Sequence, residues 1–150
     1  CYEIYMCLFM KRERIRGLLD ELKLLVNDLQ DIVRISVGEF LGDMRNKYAV
    51  RHLIVEIIEV ASNIGLVILR DDFGVREVMG YSDIFRRLRE RSVLGDTTGI
   101  GMEKLARLRN MIIHRYWEID DARIYNEVKS EGIRIIKNFI MEVEKYVSER

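Results

Sequence analysis

The stretch KYAVRHLIVEIIEVASNIGLVIL, residues 47–69, decides the fold class of this 150-residue chain. It is the most apolar run in the sequence, and as a helix it is long enough to cross a bilayer. Four polar residues interrupt it, His52, Glu56, Glu59 and Asn63, at spacings of four, three and four. That period gathers them on one narrow face of a helix and leaves the other faces apolar. Two carboxylates and an imidazole are costly in hydrocarbon, so a membrane span is the poorer reading. The segment is expected to be the central helix of a bundle, buried on most sides and bearing one polar seam. Asn46 reads as its N-cap, and Asp71, Asp72 and Gly74 as its end.

N-terminal to this helix, apolar residues fall in three sevenfold rows: Ile15/Leu22/Leu29, Leu18/Leu25/Ile32 and Leu19/Val26/Val33. Such a stripe predicts an amphipathic helix from about Lys11 to about Ser36, with Gly38 and Gly42 marking a connection. On the C-terminal side, Ser82 reads as the cap of a third helix carrying Ile84, Phe85 and Leu88. Gly95, Gly99 and Gly101 read as a loop, followed by a fourth helix with Met102, Leu105, Leu108, Met111, Ile112 and Ile113 that ends near Tyr116. Asp120 or Asp121 caps a fifth, with Val128, Ile135, Ile136, Phe139, Val143 and Val147 at helical spacing. No period-two run and no internal repeat interrupts this pattern. The expected fold is all-α, an antiparallel bundle of about five helices in a single domain.

Composition agrees. Apolar residues make up 49% and charged residues 33%, which excludes intrinsic disorder, and proline is absent. Cys1 and Cys7 are too few for a disulfide framework and too poor in company for zinc, so no metal is expected and a reducing cytoplasm is the simplest setting. Cys1 to Phe9 is apolar but carries Glu3 and lacks a basic leader, whereas Met10-Lys11-Arg12-Glu13 reads as a natural beginning. Residues 1–9 are therefore expected as an extension outside the domain. The 25 basic and 25 acidic residues cancel overall, yet residues 86–115 hold eight basic and three acidic groups, a local net charge of +5. A basic patch is the electrostatic footprint of a phosphate-backbone binder, although a solvated helix face laced with ion pairs has the same composition.

Inside that basic segment stands Arg109-Asn110-Met111-Ile112-Ile113-His114-Arg115-Tyr116, with one of only two histidines in the chain. At about 100° per residue, Arg109, Asn110 and His114 share one side of a helix, and Tyr116 returns above Arg109 if the helix continues that far. Leu108, Met111 and Ile112 are expected to supply packing. A guanidinium binds phosphate oxygens bidentately, and an imidazole moves protons near neutral pH. Together they suit metal-free phosphodiester cleavage, His114 as general base or acid and Arg109 stabilising charge on the phosphoryl oxygens. The full pattern Arg-x-x-x-x-His-x-Tyr arises by chance in about one shuffled sequence in a hundred.

Arg109 to Tyr116, followed by Trp117-Glu118-Ile119-Asp120, resembles the core motif of the HEPN superfamily. More narrowly, it is similar to the HepT toxins, partners of minimal nucleotidyltransferase (MNT) antitoxins. Tyr48-Ala49-Val50-Arg51-His52-Leu53 and Tyr81-Ser82-Asp83-Ile84-Phe85 open their helices as in those proteins, and the resemblance runs from Met10 to about Val147. It implies a helical bundle that homodimerises, placing two Arg/His sets in one cleft. It also implies metal-independent endoribonuclease activity without a cofactor, the ribose 2′-hydroxyl acting as nucleophile. Arg109 and His114 match the catalytic pair, and Asn110 the polar residue that follows the arginine. Tyr116 matches the tyrosine that the antitoxin modifies with AMP, and the dimer is expected to assemble further with that antitoxin. A catalytically inert helical module that binds a nucleotidyltransferase is the alternative.

Three other groups have weaker readings. His52 and Glu56 either back the cleft, take part in a metal site or belong to a solvated or interface stripe with Glu59 and Asn63. Asp20, Asp28 and Asp31 read as a solvated face. Trp117 and Tyr125 read as packing or dimer anchors, with Trp117 also suited to stacking a base.

Overall fold

In the computed structural model, which describes residues 1–150, the chain is helical throughout. Seven α-helices follow in order: α1 (Tyr2–Ile32), α2 (Val37–Leu41), α3 (Met44–Phe73), α4 (Tyr81–Glu90), α5 (Asp96–His114), α6 (Asp121–Glu127) and α7 (Ile133–Ser148). A 3-10 turn, Tyr116–Glu118, joins α5 to α6, and a π turn, Val128–Gly132, carries α6 into α7. The expected fifth helix is thus one nearly continuous rod with a π turn inside it. The expected connection at Gly38 holds the extra short helix α2.

The apolar stretch forms the body of α3, and 67% of its most apolar 18-residue window is buried inside the protein. It passes a length-and-composition test for a span because it is the core helix. Against it lies α1, whose rows Ile15/Leu22/Leu29 and Leu19/Val26/Val33 are buried while Leu18, Leu25 and Ile32 pack at the margin. α7 fits between α1 and α5, and α4 lies along α5 and α3. Phe85 of α4 meets Phe139 of α7 edge to face at 5.9 Å and 88°, a pair contributing about 0.5–1.5 kcal/mol beyond its area. α1 starts at Tyr2 rather than near Lys11, because helix-compatible residues extend it, but every residue from Cys1 to Met10 is exposed.

Three expected caps or loops fall elsewhere. The N-cap of α3 is Asp43, whose carboxylate accepts the Arg45 N–H at 2.9 Å; Asn46 lies within the helix. Ser82 does not cap α4, because Gly80 holds the cap position and the Ser82 hydroxyl donates to the Glu103 carbonyl at 3.4 Å. Gly99 and Gly101 are not loop residues but belong to α5, where they permit close approach. A Cβ on Gly99 would stand 2.7 Å from the Arg89 side chain, and one on Gly101 2.6 Å from Ile135. Gly95 has no side chain to cap α5, and Glu142 of α7 does so across the bundle, accepting from Gly95 N–H at 2.6 Å and from the Thr98 hydroxyl. Asp120 caps α6 as expected, accepting the Arg123 N–H at 3.2 Å, and Gly74 ends α3 in the left-handed region at φ 66°.

Polar ties lock the far ends of the rods. Asp72 accepts from Lys11 of α1 and, at 2.7 Å, from the Tyr146 hydroxyl of α7. Burial and the bond to Asp72 push that phenol well above its ordinary range, so it stays protonated and donating.

Candidate active site

Helix α5 is anchored by its buried residues Thr98, Gly99, Met102, Ala106 and Ile112. Its last turn therefore has a fixed rotation about the axis. Arg109 and Asn110 emerge half-buried, and His114, the final residue of the helix, is exposed. Leu108 packs at the core margin, but Met111 is 40% and Ile113 44% exposed, so Met111 does not serve as packing within the chain. Both add apolar surface beside His114.

The surroundings of Arg109 are unlike those of the ion-paired arginines around it. Its Nη1 donates to the Asn110 side-chain carbonyl at 3.2 Å, and its Cζ lies 4.5 Å from the centre of the Tyr81 ring. Its Nε is buried without an acceptor, and no carboxylate faces it. By contrast, Arg86 and Arg87 pair with Asp83, Arg89 with Glu103 and Arg115 with Glu118. Half of the basic segment's cations are thus matched locally, and Arg91, Lys104, Arg107 and Arg109 have no carboxylate partner. Burial pushes the Asp83 carboxyl up, but the Met79 N–H, Arg86 and Arg87 outweigh it and hold the group below the usual carboxylate range.

α5 stops at His114. Arg115 leaves helical geometry at φ −136° and ψ 43°, its N–H still bonded to Met111 O at 2.8 Å. Tyr116 consequently does not stack above Arg109 on a continuing helix. It opens the 3-10 turn, 65% exposed, with the Trp117 ring edge-on to it at 5.3 Å and 79°. Trp117 is 68% exposed and anchors no other element of the chain, whereas Tyr125 is buried against Phe40 and donates to the Ile35 carbonyl. The turn is held from the C-terminal side: Asp121 receives Arg51 of α3 through Nε at 2.9 Å and Nη2 at 2.6 Å.

His52 and Glu56 pair with each other at 3.0 Å on the exposed face of α3, where Glu59 and Asn63 are also exposed. Neither makes a hydrogen bond or ion pair with Arg109 or His114. No three His, Cys, Asp or Glu side chains converge as a metal site, and both cysteines are free and exposed. Shallow clefts lie elsewhere, one between Lys104, Leu105 and the π turn and another between the end of α1 and α7, and neither includes Arg109 or His114. What the spacing of residues 109–116 did not disclose is Tyr81, which reaches Arg109 only because α4 and α5 lie side by side. It carries no local signal beyond opening its helix.

The chain was compared with known proteins. No functionally curated protein matches it. Among solved structures, it resembles a cytosolic protein of unknown function, YutE from Bacillus subtilis, at TM-score 0.76 and 18% identity, covering 92% of this chain and 91% of that one. It is also similar in fold to a chain in the structure of a tri-AMPylated Shewanella oneidensis HEPN toxin in complex with MNT antitoxin, at TM-score 0.78, 18% identity and coverages of 87% and 96%. A toxin–antitoxin structure with AMP-PNP gives TM-score 0.78 at 18% identity, covering 87% and 97%. These likenesses establish the fold. Residues 22–143, which include the whole of α3, α4, α5 and the Arg109–Tyr116 segment, match the family described as Ribonuclease HepT-like, and the chain belongs to that family.

Proposed function

We propose that this protein is a metal-independent endoribonuclease toxin that acts as a cytoplasmic homodimer and is silenced by an MNT-type nucleotidyltransferase. The observation that carries the reading is Arg109, a half-buried cation with no carboxylate partner, near the end of a helix whose last residue, five positions later, is an exposed histidine. A guanidinium left unneutralised is an electrostatic receptor for a phosphodiester, and it is preorganised before substrate arrives. His114 takes the proton of the ribose 2′-hydroxyl. The 2′ oxygen attacks phosphorus, and the 5′ oxygen leaves as it receives a proton from a second imidazole. The products are a 2′,3′-cyclic phosphate and a 5′-hydroxyl end, with no cofactor consumed. Arg109 meets the charge that grows on the non-bridging oxygens, and Asn110 steadies its Nη1.

One protomer offers one imidazole on an open surface. A two-fold dimer brings the second, and the exposed Met111, Ile113, Tyr116 and Trp117 beside His114 are apolar surface of the kind an isologous interface covers. Tyr116 is accessible to an antitoxin. Attack of its hydroxyl on the α-phosphorus of ATP releases pyrophosphate and leaves AMP on the phenol, adding bulk and negative charge close to the catalytic residues. The antitoxin and the toxin dimer assemble into a larger complex. The reading of an inert binding module rests on the same exposed turn.

The test is cleavage of single-stranded RNA in the presence of chelator by wild type, Arg109→Ala and His114→Ala. Loss of the base is expected to cost about 10²–10⁴-fold. A wild type inert on RNA that still binds the nucleotidyltransferase selects the module.

A further inference from the structure

We propose that Tyr81 is the positioning residue for Arg109, its ring face holding the guanidinium in place where a carboxylate would otherwise do so and thereby leaving the cation unneutralised. The inference rests on the ribonuclease reading of Arg109 for its functional meaning, though not for its geometry. The guanidinium carbon stands 4.5 Å from the Tyr81 ring centre, and the only hydrogen bond from the group goes to the neutral amide of Asn110 at 3.2 Å. With Nε buried and unbonded, the side chain has two supports, both uncharged. An aromatic face attracts a cation through its quadrupole and carries no formal charge, so it orients Arg109 without competing with a phosphate for it.

The ring is the fixed partner of the pair. Tyr81 is the first residue of α4 and follows Gly80, whose φ of 102° lies where other residues are strained. Asp83 folds back to accept the Met79 N–H at 2.8 Å and is itself clamped by Arg86 and Arg87. Ser82 ties the same turn to the Glu103 carbonyl, and Ile84 and Leu88 fill the notch left by Gly65 on α3. The start of α4 is therefore set against α5 by backbone, ion pair and packing, and the half-buried Tyr81 ring is set with it. The buried Asp83 cluster, otherwise without a part in the chemistry, acquires one: it fixes the platform on which Arg109 rests.

Two measurements test this, one of which needs no activity. In wild type, the Arg109 Nε–Hε resonance, assigned by its loss in Arg109→Lys, is expected to be shifted upfield by the ring current of Tyr81. The shift persists in Tyr81→Phe and disappears in Tyr81→Leu. An unshifted wild-type resonance overturns the proposal without any Tyr81 variant being required. In the RNA assay, Tyr81→Phe is expected to cleave at close to the wild-type rate and Tyr81→Leu about tenfold more slowly in kcat, with KM changed less. Equal loss in Phe and Leu variants, or no loss in either, overturns it. If wild type cuts no RNA, the ribonuclease reading has failed, and the resonance alone then decides whether Tyr81 positions Arg109.

Discussion

Three arginines in this protein sit against tyrosine rings, Arg51, Arg109 and the C-terminal Arg150, and the two that lie within helices differ in what else they touch. Arg51 of α3 lies 5.6 Å from the Tyr48 ring centre and is gripped through two hydrogen bonds by Asp121. Arg109 of α5 lies 4.5 Å from the Tyr81 ring and finds only the Asn110 amide. The first arrangement neutralises its cation and fastens α6 to α3; the bond to Asp121 raises the Arg51 pKa, and the group serves the fold. The second holds a cation in place and leaves its charge unspent. Aromatic support with a carboxylate makes Arg51 a structural brace, and aromatic support without one leaves Arg109 free for the anion-binding role proposed above.

The comparison breaks most visibly if a carboxylate is given to the second arginine. Asn110→Asp is expected to turn Arg109 into a brace, lowering kcat/KM for single-stranded RNA about 10²-fold, of the order found when one transition-state donor is lost. Urea unfolding of the same variant is expected to show no loss of stability. Undiminished cleavage means that the free charge of Arg109 is not what the site uses. Next in size is the reverse change at the brace. Asp121→Asn removes the charge from a pair whose side chains are only 19% and 14% exposed. Stability in urea titration is expected to fall by about 1–3 kcal/mol, less than for a fully buried pair, while cleavage well below the melting temperature stays within about threefold. A large catalytic loss would show that α6 steers the active turn. The smallest effect is expected at Tyr48, which is 56% exposed. Tyr48→Leu should change stability by no more than about 0.5–1 kcal/mol, because Asp121 already holds Arg51. Comparable damage from Tyr48→Leu and Tyr81→Leu in their respective assays would erase the distinction.

Much of this was legible in the order of residues, and the exceptions have a common cause. The sevenfold rows of α1 and the apolar body of α3 announce themselves because burial of a helix stripe imposes a period on the chain itself. The candidates Arg109, Asn110 and His114 are close in the chain because one helix, α5, carries all three, whereas Tyr116 lies beyond its end. What misled was chemistry completed from elsewhere. Gly99 and Gly101 look like a loop in isolation, and they are helical because Arg89 and Ile135 need the space. Gly95 caps nothing by itself; the oxygen comes from Glu142, 47 residues later. The end of α5 at His114 could not be told from an end at Tyr116, because no glycine or proline marks it and Arg51 of α3 holds the following segment through Asp121. Tyr81 belongs to the same class. The pairing of α4 with α5 brings it under Arg109, and no spacing within either helix records that.

The central claim is that the free guanidinium of Arg109 and the exposed imidazole of His114 cleave RNA together. The most direct test is to incubate a labelled single-stranded RNA with purified wild type and with His114→Ala, both in excess chelator, and to identify the ends formed. The account predicts 2′,3′-cyclic phosphate and 5′-hydroxyl ends from wild type, and a rate about 10²–10⁴-fold lower from the variant. Equal cleavage by the two proteins, or 3′-hydroxyl and 5′-phosphate ends from wild type, would contradict it.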